Sequence, residues 1–317
     1  MAGKAHIDFT ARSAMAWTLT MSKKVFIVGC SGAVGSRLTL LLLQNNFVVY
    51  GVRGSRQCTI DNQNHFCYKI DLLDPNLSLN LLDFKPDIMV HAAWITTPGV
   101  FWESPVNHDW TSASKRIIQE FKASGGKYLV VTSTCAEYSW DTSKPLSENS
   151  KVSPESIYGK SKLELFNWVR DYNIHFLWAR IFFQFGLNEP NGRLIPSLID
   201  SFLAGKEFEV RNWHDVRDFI YIKDVVNVLN ILIYKEQIGI VNIGTGNPIN
   251  IRSIAQIVAD FMDREDLLIY RAPTQPPSFV VSNSKKLMTI LGDYSWTPIQ
   301  KSILETIEYR TMNVLRP

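Results

Sequence analysis

The sequence predicts an α/β fold, in which a doubly wound parallel sheet is followed by a smaller C-terminal lobe. Two observations lead to this expectation. Short apolar, β-branched segments alternate with helix-like segments over the first two thirds of the chain, and the pattern changes after Arg180. Strands that are apolar throughout need cover on both faces, which is typical of parallel sheets flanked by helices. A chain of 317 residues has room for one large domain, or for a domain with an attached lobe.

The individual elements follow from hydrophobic periodicity and from end signals. In the first part we expect strands at 25–28, 47–52, 88–91 and 128–132, and helices at 36–44 and 112–124. The pair Gly125-Gly126 ends the second of these helices. After Arg180 we expect helices at 194–203, 224–234 and 251–261, and a short strand at 208–210. These later elements form the smaller lobe, and we expect the chain to cross back between the two parts.

The first twenty residues stand apart from this pattern. Residues 1–20 show no clean period, and a second start-like segment follows at Met21. Their apolar part is too short and too broken for a secretory signal peptide. We therefore interpret residues 1–20 as an N-terminal extension rather than as a targeting segment.

The composition argues against several classes of protein. Apolar residues make up 46% and charged residues 20% of the chain, which is ordinary for a soluble globular enzyme. A net charge of +3 is too small to suggest nucleic acid or a membrane surface as a partner. Apolar runs such as Leu40 to Leu43 are far too short to span a bilayer.

The cysteines give no sign of a disulfide or a metal site. The chain has Cys30, Cys58, Cys67 and Cys135, and no two of them form a CxxC pair. Without such a pair and without a secretory signal, reduced thiols in a cytoplasmic setting are the default expectation. We expect no metal site.

Three glycines follow the first predicted strand at a spacing of three residues. Gly29, Gly32 and Gly35 form G-x-x-G-x-x-G between a strand and a helix. Glycine here lets the backbone turn tightly and lets pyrophosphate oxygens reach the amide groups of the helix N-terminus. An ordinary glycine turn is the alternative, but the strand–glycine–helix context favours a dinucleotide site. The loop residues between the glycines that we expect to contact it are Ser31, Ala33 and Val34.

This motif makes the predicted fold a Rossmann-type sheet. Residues 21–180 are then the dinucleotide-binding domain. Residues 181–317 are mainly a substrate-binding lobe, from which the chain crosses back.

The end of the second strand decides which dinucleotide is expected. An NAD enzyme usually has an acidic residue there, which binds the ribose hydroxyls. This chain has Arg53, followed by Arg56. Guanidinium groups suit a 2′-phosphate, because it accepts bidentate hydrogen bonds, although both arginines could instead be solvated surface residues. We expect NADP (NADPH) as the cofactor, with NAD as the alternative.

Further cofactor contacts are expected where the next strands end. Asp71, with Leu72 beside it, could accept a hydrogen bond from the adenine amino group, or Asp71 could cap a helix. Ala92 and Ala93 are small enough to let the cofactor pass close to the backbone.

Two aromatic residues flank these alanines. We interpret His91 as a structural histidine at a strand end rather than as a catalytic one. Trp94 is expected either in the wall of the active site or in the core, and we favour the wall.

The catalytic candidates are a tyrosine and a lysine four residues apart. Tyr158 and Lys162 share one face of a predicted helix. A lysine ammonium beside the phenol would lower the pKa of the tyrosine and could also hold the nicotinamide ribose. Thr134 follows the strand predicted at 128–132, where the active sites of parallel sheets open. Its hydroxyl could bind a substrate oxygen while Tyr158 protonates it.

Seven segments of the chain, taken together, carry a resemblance to a known family. They are GCSGAVG, HAAW, TSTCAEY, YGKSK, RLIPSLI, RDFIYIKDVV and NIGTGNPINI. In content and order they resemble the extended short-chain dehydrogenase/reductases that act on nucleotide sugars, from about Lys24 to Trp296. The resemblance implies a triad of Thr134, Tyr158 and Lys162, with hydride passing between nicotinamide and a sugar carbon. It also implies that a homodimer is common among such enzymes.

Three reactions are common among these enzymes: 4,6-dehydration, epimerisation and ketone reduction. Similar dehydratases carry an Asp-Glu pair directly after the threonine, where this chain has Cys135 and Ala136. Neither residue can transfer the extra protons, so dehydration is disfavoured. Glu137 is one residue further along the chain, and only its position in the structure could show whether it transfers protons.

The expected cofactor chooses between the other two reactions. Epimerases keep NAD tightly bound, whereas an NADP site favours a one-way reductase. We therefore expect NADPH-dependent reduction of the C4 ketone of a nucleoside-diphosphate 4-keto-6-deoxyhexose, in deoxysugar biosynthesis. The alternatives are a nucleotide-sugar 4-epimerase and, from another class, a non-catalytic dinucleotide-binding regulator.

Arg193 and Arg217 are the expected partners of the substrate diphosphate. The resemblance implies that Arg217 contacts phosphate and that Leu194 lies next to the nucleotide base. A solvated surface charge is the alternative for both arginines. Trp94 and Thr134 complete the expected contacts with a nucleoside-diphosphate sugar.

Overall fold

The computed structural model describes residues 23–79 and 81–314. The extension expected at residues 1–20 lies outside the described residues. The elements in chain order are β1 (Lys24–Val28), α1 (Ala33–Gln44), β2 (Val48–Arg53), β3 (His65–Lys69), α2 (Leu81–Phe84), β4 (Ile88–His91), α3 (Val106–Ala123), β5 (Tyr128–Thr134), α4 (Ile157–Asp171), β6 (His175–Ile181), β7 (Phe183–Phe185), α5 (Leu194–Leu203), β8 (Phe208–Val210), β9 (Val216–Arg217), β10 (Phe219–Tyr221), α6 (Ile222–Tyr234), β11 (Gly239–Ile243), β12 (Ile249–Asn250), α7 (Ile251–Met262), β13 (Leu268–Tyr270), β14 (Phe279–Val280), α8 (Lys285–Leu291) and α9 (Ile299–Val314).

Seven strands form one parallel sheet in the order β11-β6-β5-β4-β1-β2-β3. All residues of β4 are buried, because both faces of the sheet are covered. Apolar side chains of one face pack with α1 and α6, and those of the other face pack with α3 and α4. The predicted Rossmann-type, doubly wound α/β fold is confirmed. The strand order reverses at β1, and such a reversal opens a crevice at the carboxyl ends of the strands.

The second half of the chain contributes to the main sheet and to smaller ones. α6 packs against α1, and β11 joins the edge of the main sheet beside β6. The small sheets pair β7 with β10, β9 with β12 and β14, and β8 with β13. α7 packs against both α5 and α9. Among the described residues, none of the helices combines the length and the apolar character needed to cross a bilayer.

Helix α3 shows why one predicted boundary was wrong. We expected this helix to begin at 112, but it begins at Val106. Its first turn contains Asn107, which is fully buried and donates to the carbonyls of Phe101 and Ser104 at 2.7 and 2.8 Å. A buried polar side chain that is satisfied by loop carbonyls breaks the apolar period from which the helix start was predicted.

Candidate active site

A cavity of about 610 Å³ opens at the carboxyl ends of β1, β4 and β5, beside the reversal of the strand order. It lies where ligands bind in open parallel sheets. The expected site residues that line it are Gly29, Ser31, Gly32, Ala33, Val34, Arg56, Asp71, Leu72, Ala92, Ala93, Trp94, Thr134, Tyr158, Lys162 and Arg193. The expected residues that do not line it are Gly35, Arg53, Leu194 and Arg217. The sequence segments thus meet in one continuous space.

The glycine loop forms a cradle in which neither Gly29 nor Gly35 has room for a Cβ atom. Gly29 has a φ of +89°, and a Cβ there would lie 2.9 Å from the backbone of Ala92 and Ala93. A Cβ on Gly35 would lie 2.1 Å from the carbonyl oxygen of Gly29, so Gly35 serves helix packing behind the cavity wall. Helix α1 begins after Gly32, which offers no side-chain cap to the amides of the first turn. The uncapped amides can donate hydrogen bonds to the oxygens of a dinucleotide pyrophosphate, and the absence of side chains at the glycines lets these oxygens approach the backbone closely.

Both arginines predicted for the 2′-phosphate lie at or just after the end of β2, but only Arg56 reaches the cavity. Arg56 is exposed and lines the cavity. Arg53 lies off the wall, and its guanidinium donates to the carbonyls of Gly54 and Arg56 at 3.3 and 3.2 Å. Asp71 lines the cavity and accepts a hydrogen bond from the amide of Leu73 at 3.1 Å, so it closes a turn rather than capping a helix.

Tyr158 is held at the first turn of α4. Ser156 caps this helix by accepting a hydrogen bond from the amide of Gly159 at 3.1 Å. The amide of Tyr158 donates to the carbonyl of Trp102 at 3.0 Å, and its ring meets the ring of Phe101 edge-on at 5.0 Å. A Cβ on Gly159 would lie 2.4 Å from the carbonyl oxygen of Ala136, so glycine lets α4 approach the end of β5.

The surroundings of the phenol differ from the sequence expectation. Burial raises the pKa of Tyr158 to about 12, while a hydrogen bond with the Thr134 hydroxyl and the charge of Arg193 act to lower it. Lys162 instead donates to the carbonyl of Thr132 at 3.1 Å, and its ammonium lies 3.8 Å from the ring centre of Trp94. The phenol is therefore protonated at neutral pH and suited to donating a proton.

Lys162 is almost completely buried within the cavity wall. Burial lowers its pKa to about 7, and the nearby charge of Glu137 opposes that shift. Trp94 lines the cavity beneath the ammonium and donates from its indole nitrogen to Asn107 at 2.7 Å. His91, which is fully buried, hydrogen-bonds the Ser114 hydroxyl through Nε2 at 2.9 Å. It lies behind the wall, as expected of a structural histidine.

The position of Glu137 shows whether it could exchange protons with a substrate. Its carboxylate is fully buried, accepts from Arg180 Nε at 2.7 Å and from Trp178 Nε1 at 2.9 Å, and also binds the Ser133 hydroxyl. It does not line the cavity. These partners make Glu137 part of the core beneath the site, so it is not placed to exchange protons with a substrate.

Arg193 is the cationic side chain at the far end of the cavity. It immediately precedes α5, and its guanidinium lies 5.8 Å from the ring centre of Phe101. Its Nε is buried without a hydrogen-bond partner among the described residues, although the Glu189 carboxylate lies 4.0 Å away. Burial raises the pKa of Glu189 to about 7, with Arg193 opposing the shift. A buried donor without a hydrogen-bond partner leaves Arg193 available to an acceptor in the cavity.

Arg217 and Leu194 lie behind the wall rather than in it. Arg217 pairs with Asp215 at 2.8 Å and donates to the Ser278 hydroxyl at 2.7 Å. Its guanidinium lies 5.5 Å from the ring centre of Trp140 and 5.3 Å from that of Phe183, and both rings line the cavity. Arg217 supports the wall through these rings, and its contact with phosphate stays a prediction. Leu194 begins α5 and packs against the core.

Several wall residues had no sequence signal. They are Phe101, Trp102, Trp140, Gln184 and Glu189, and they come from loops or short strands. The adjacent aromatic residues Phe101 and Trp102, in a segment without a helix or strand pattern, were the one feature that could have indicated a binding loop.

Comparison with known proteins assigns the fold and its chemistry to a broad class. A sequence model described as the NAD dependent epimerase/dehydratase family matches residues 25–244. The UDP-glucose 4-epimerase of Halalkalibacterium halodurans is 22% identical, over 90% of this chain and 93% of that protein. The GDP-6-deoxy-D-talose 4-dehydrogenase of Aggregatibacter actinomycetemcomitans is 27% identical, over 92% of this chain and 99% of that protein.

The fold is also found in solved structures. The UDP-glucose 4-epimerase of Thermus thermophilus in complex with NAD has a TM-score of 0.80 at 19% identity, and the match covers 91% of this chain and 99% of that one. At this identity the likeness shows the fold.

Proposed function

The chain belongs to the NAD-dependent epimerase/dehydratase family, and on that premise we propose that it epimerises C4 of a nucleoside-diphosphate hexose. The observation that carries the proposal is the cavity itself, in which the glycine cradle, Tyr158 with Thr134, and Arg193 share one space. The 4-epimerase named above, which matches nearly the whole chain, supports it further. A nicotinamide dinucleotide bound in the cradle would supply the two-electron oxidation and reduction.

Each residue has a defined task in this proposal. Thr134 binds the oxygen on C4, and Tyr158 exchanges the proton of that oxygen. Lys162 would hold the ribose next to the nicotinamide of a bound dinucleotide. Arg193 offers its unpartnered Nε to the diphosphate. Directly after Thr134 the chain has Cys135 and Ala136, and Glu137 is engaged by Arg180 and Trp178, so no carboxyl group from this segment faces the cavity to supply the extra proton transfers of dehydration.

A second candidate, reduction of a C4 ketone by NADPH, is favoured by one specific feature. β2 ends in Arg53 rather than in a carboxylate, and Arg56 reaches the cavity wall. These residues suit a 2′-phosphate. The 4-dehydrogenase named above, which acts at the same sugar carbon, is also consistent with it. Tyr158, protonated at neutral pH, can donate its proton in the reduction step that both candidates contain. An epimerase needs this phenol as phenolate in its first step, because oxidation of the C4 hydroxyl releases a proton that Tyr158 must accept before returning it in the reduction step.

One experiment distinguishes these functions. The purified protein is incubated with UDP-glucose or UDP-N-acetylglucosamine without added cofactor, and the 4-epimers are separated by chromatography. In parallel, NADPH absorbance is followed with a nucleoside-diphosphate 4-keto-6-deoxyhexose. Interconversion without net change in the dinucleotide supports the epimerase. Stoichiometric NADPH oxidation, with no epimer formed, would replace it by the reductase. Cofactor binding with no turnover of these sugars would favour a non-catalytic regulator and contradict both.

A further inference from the structure

Three cysteines and a histidine converge directly behind the glycine cradle. They are Cys30, Cys58, His65 and Cys67, and one ligand atom from each lies within 4.8 Å of those of the other three. Cys30 follows Gly29 in the loop after β1, and Cys58 lies in the connection between β2 and β3. The two ligands on β3 are two residues apart, so both point to one face of the sheet. The sequence has no CxxC spacing that would indicate this cluster, because the four residues come from three separate segments of the chain.

The histidine in this cluster is oriented as a metal ligand would be. Its Nδ1 lies 3.2 Å from the carbonyl oxygen of Ile60. Its Nε2 is buried and has no hydrogen-bond partner among the described residues. Metal-binding histidines are commonly held in this way, with one ring nitrogen bonded to a carbonyl and the other left for the ion. A buried ring nitrogen without a partner is costly unless something occupies the space beside it.

The space beside the cluster is kept open by a glycine. A Cβ on Gly51 would lie 2.5 Å from the Cys30 sulfur and 3.7 Å from His65 Nε2. Gly51 is paired with Cys67 in the β2–β3 register. A strand interior usually favours a β-branched or aromatic residue over glycine, so this glycine marks a close approach.

A disulfide explains the cluster less well than a metal ion does. The Cys30 and Cys67 sulfurs are 3.3 Å apart, which is longer than the about 2.05 Å of an S–S bond. A disulfide would also give Cys58 and His65 no role. Three thiolates with one imidazole are instead a common ligand set of four-coordinate structural zinc. The positive charge of Arg53, two residues after Gly51 on β2, acts on all three thiols and would offset the negative charge of such a site.

We propose that Cys30, Cys58, His65 and Cys67 bind a structural zinc ion. Each thiol releases its proton to solvent on binding, His65 binds through neutral Nε2, and no electrons are transferred. All four positions are filled by protein, so the ion has no open position for a substrate. It ties the β2–β3 connection, which carries Arg56, to the loop that forms the dinucleotide cradle. The site is thus a support for the adenosine end of the cavity, separate from the reaction proposed above.

Metal content tests the proposal without reference to turnover. The protein is purified without a histidine tag and with its thiols reduced, and bound zinc is measured by mass spectrometry of the elements. The stripped protein is then titrated with Co²⁺. We expect one ion per chain, a thiolate-to-cobalt charge-transfer band and the visible bands of tetrahedral cobalt. Fully reduced, folded protein that binds no metal, or cobalt without a thiolate band, would overturn the proposal.

Matched variants identify the ligands. Cys67→Ser and His65→Gln should lose the tetrahedral cobalt spectrum, whereas Cys135→Ser and His175→Gln remove the same chemical groups elsewhere and should keep it. If the ligand variants fail to fold, alkylation of the wild-type protein decides instead. Zinc should protect the partly exposed thiols of Cys58 and Cys67, which then react once a chelator removes the ion. A Cys30–Cys67 disulfide in metal-free wild-type protein, with no protection by zinc, would replace the metal site by a redox pair.

Discussion

The two ends of the cavity, which the proposed function assigns to a dinucleotide and to a nucleotide sugar, are built from different parts of the protein. The dinucleotide end is formed by backbone: the φ of +89° at Gly29, the open amides after Gly32 and the small Ala92 and Ala93. The sugar end is formed by side chains such as Arg193, which come from loops and from the smaller sheets. A backbone cradle fixes one cofactor shape and leaves a sequence signature. A wall of side chains can change its ligand by substitution, so the nucleotide and the sugar are much less constrained by the fold.

Tyr158, where the two ends meet, carries the largest expected effect. Tyr158→Phe removes only the hydroxyl that exchanges the substrate proton in the proposed mechanism, so we expect turnover to fall about 10²- to 10⁴-fold, with dinucleotide affinity unchanged. The assay is initial rate at saturating substrate, with cofactor binding measured by calorimetry. Tyr234→Phe, at a side chain that is 76% exposed, is the matched control. Near-normal turnover in Tyr158→Phe would remove this residue from the proposed mechanism.

Gly29→Ala tests the dinucleotide end alone. The added Cβ would lie 2.9 Å from the backbone of Ala92 and Ala93, at a φ of +89° that alanine rarely adopts. Backbone strain of about 1–3 kcal/mol should weaken dinucleotide binding by roughly 5- to 150-fold. Binding is measured by NADH fluorescence. Gly205→Ala, at a φ of +64° with open space around the added Cβ and outside the cavity, is the matched control and should bind as the wild type does. Equal affinities of the two variants would contradict a close backbone cradle.

Arg193→Gln tests the sugar end. Loss of a charge-assisted hydrogen bond of about 1.5–3 kcal/mol should raise KM for the nucleotide sugar roughly 10- to 100-fold, while NADH binding is unchanged. Arg170→Gln, at an exposed arginine paired with Asp171, should leave KM as it is. A change in NADH affinity as large as that in KM would mean that the two ends are not independent.

Lys162 connects the two ends, and its burial predicts a pH dependence of stability. Because its pKa is lowered from 10.5 to about 7 in the fold, the unfolded chain binds a proton between these values that the folded chain does not. The free energy of unfolding should therefore rise with pH in this window, by up to about 1.4 kcal/mol per pH unit. Lys162→Met should lack this slope in urea unfolding of cofactor-free protein below about pH 10, where tyrosines stay protonated. Parallel pH profiles for the two proteins would show that Lys162 is solvated.

The same contrast explains what the sequence could predict. The glycine loop, β4 and the Tyr158–Lys162 pair carry local patterns, because strand burial and helix spacing repeat within a few residues. The position of Glu137 could not be predicted from the sequence, because its partners Arg180 and Trp178 are about forty residues away along the chain. The cysteine cluster was missed for the same reason. The interpretation that Lys162 lowers the pKa of Tyr158 was wrong because the ammonium is held by Thr132 and Trp94.

The smallest expected effect concerns cofactor choice at the adenosine end. Arg56 is exposed, so its pairing with a 2′-phosphate should contribute only about 0.2–1 kcal/mol. Arg56→Gln should therefore lower the ratio of NADPH to NADH affinity by roughly 1.4- to five-fold, with NADH affinity unchanged. Arg53→Gln is the informative comparison, because this guanidinium is held by the carbonyls of Gly54 and Arg56. If the guanidinium of Arg53 keeps these two hydrogen bonds when a dinucleotide binds, Arg53→Gln should loosen the loop and change the affinity for both dinucleotides equally. A loss specific to NADPH in Arg53→Gln would instead mean that Arg53 turns toward the phosphate when the cofactor binds.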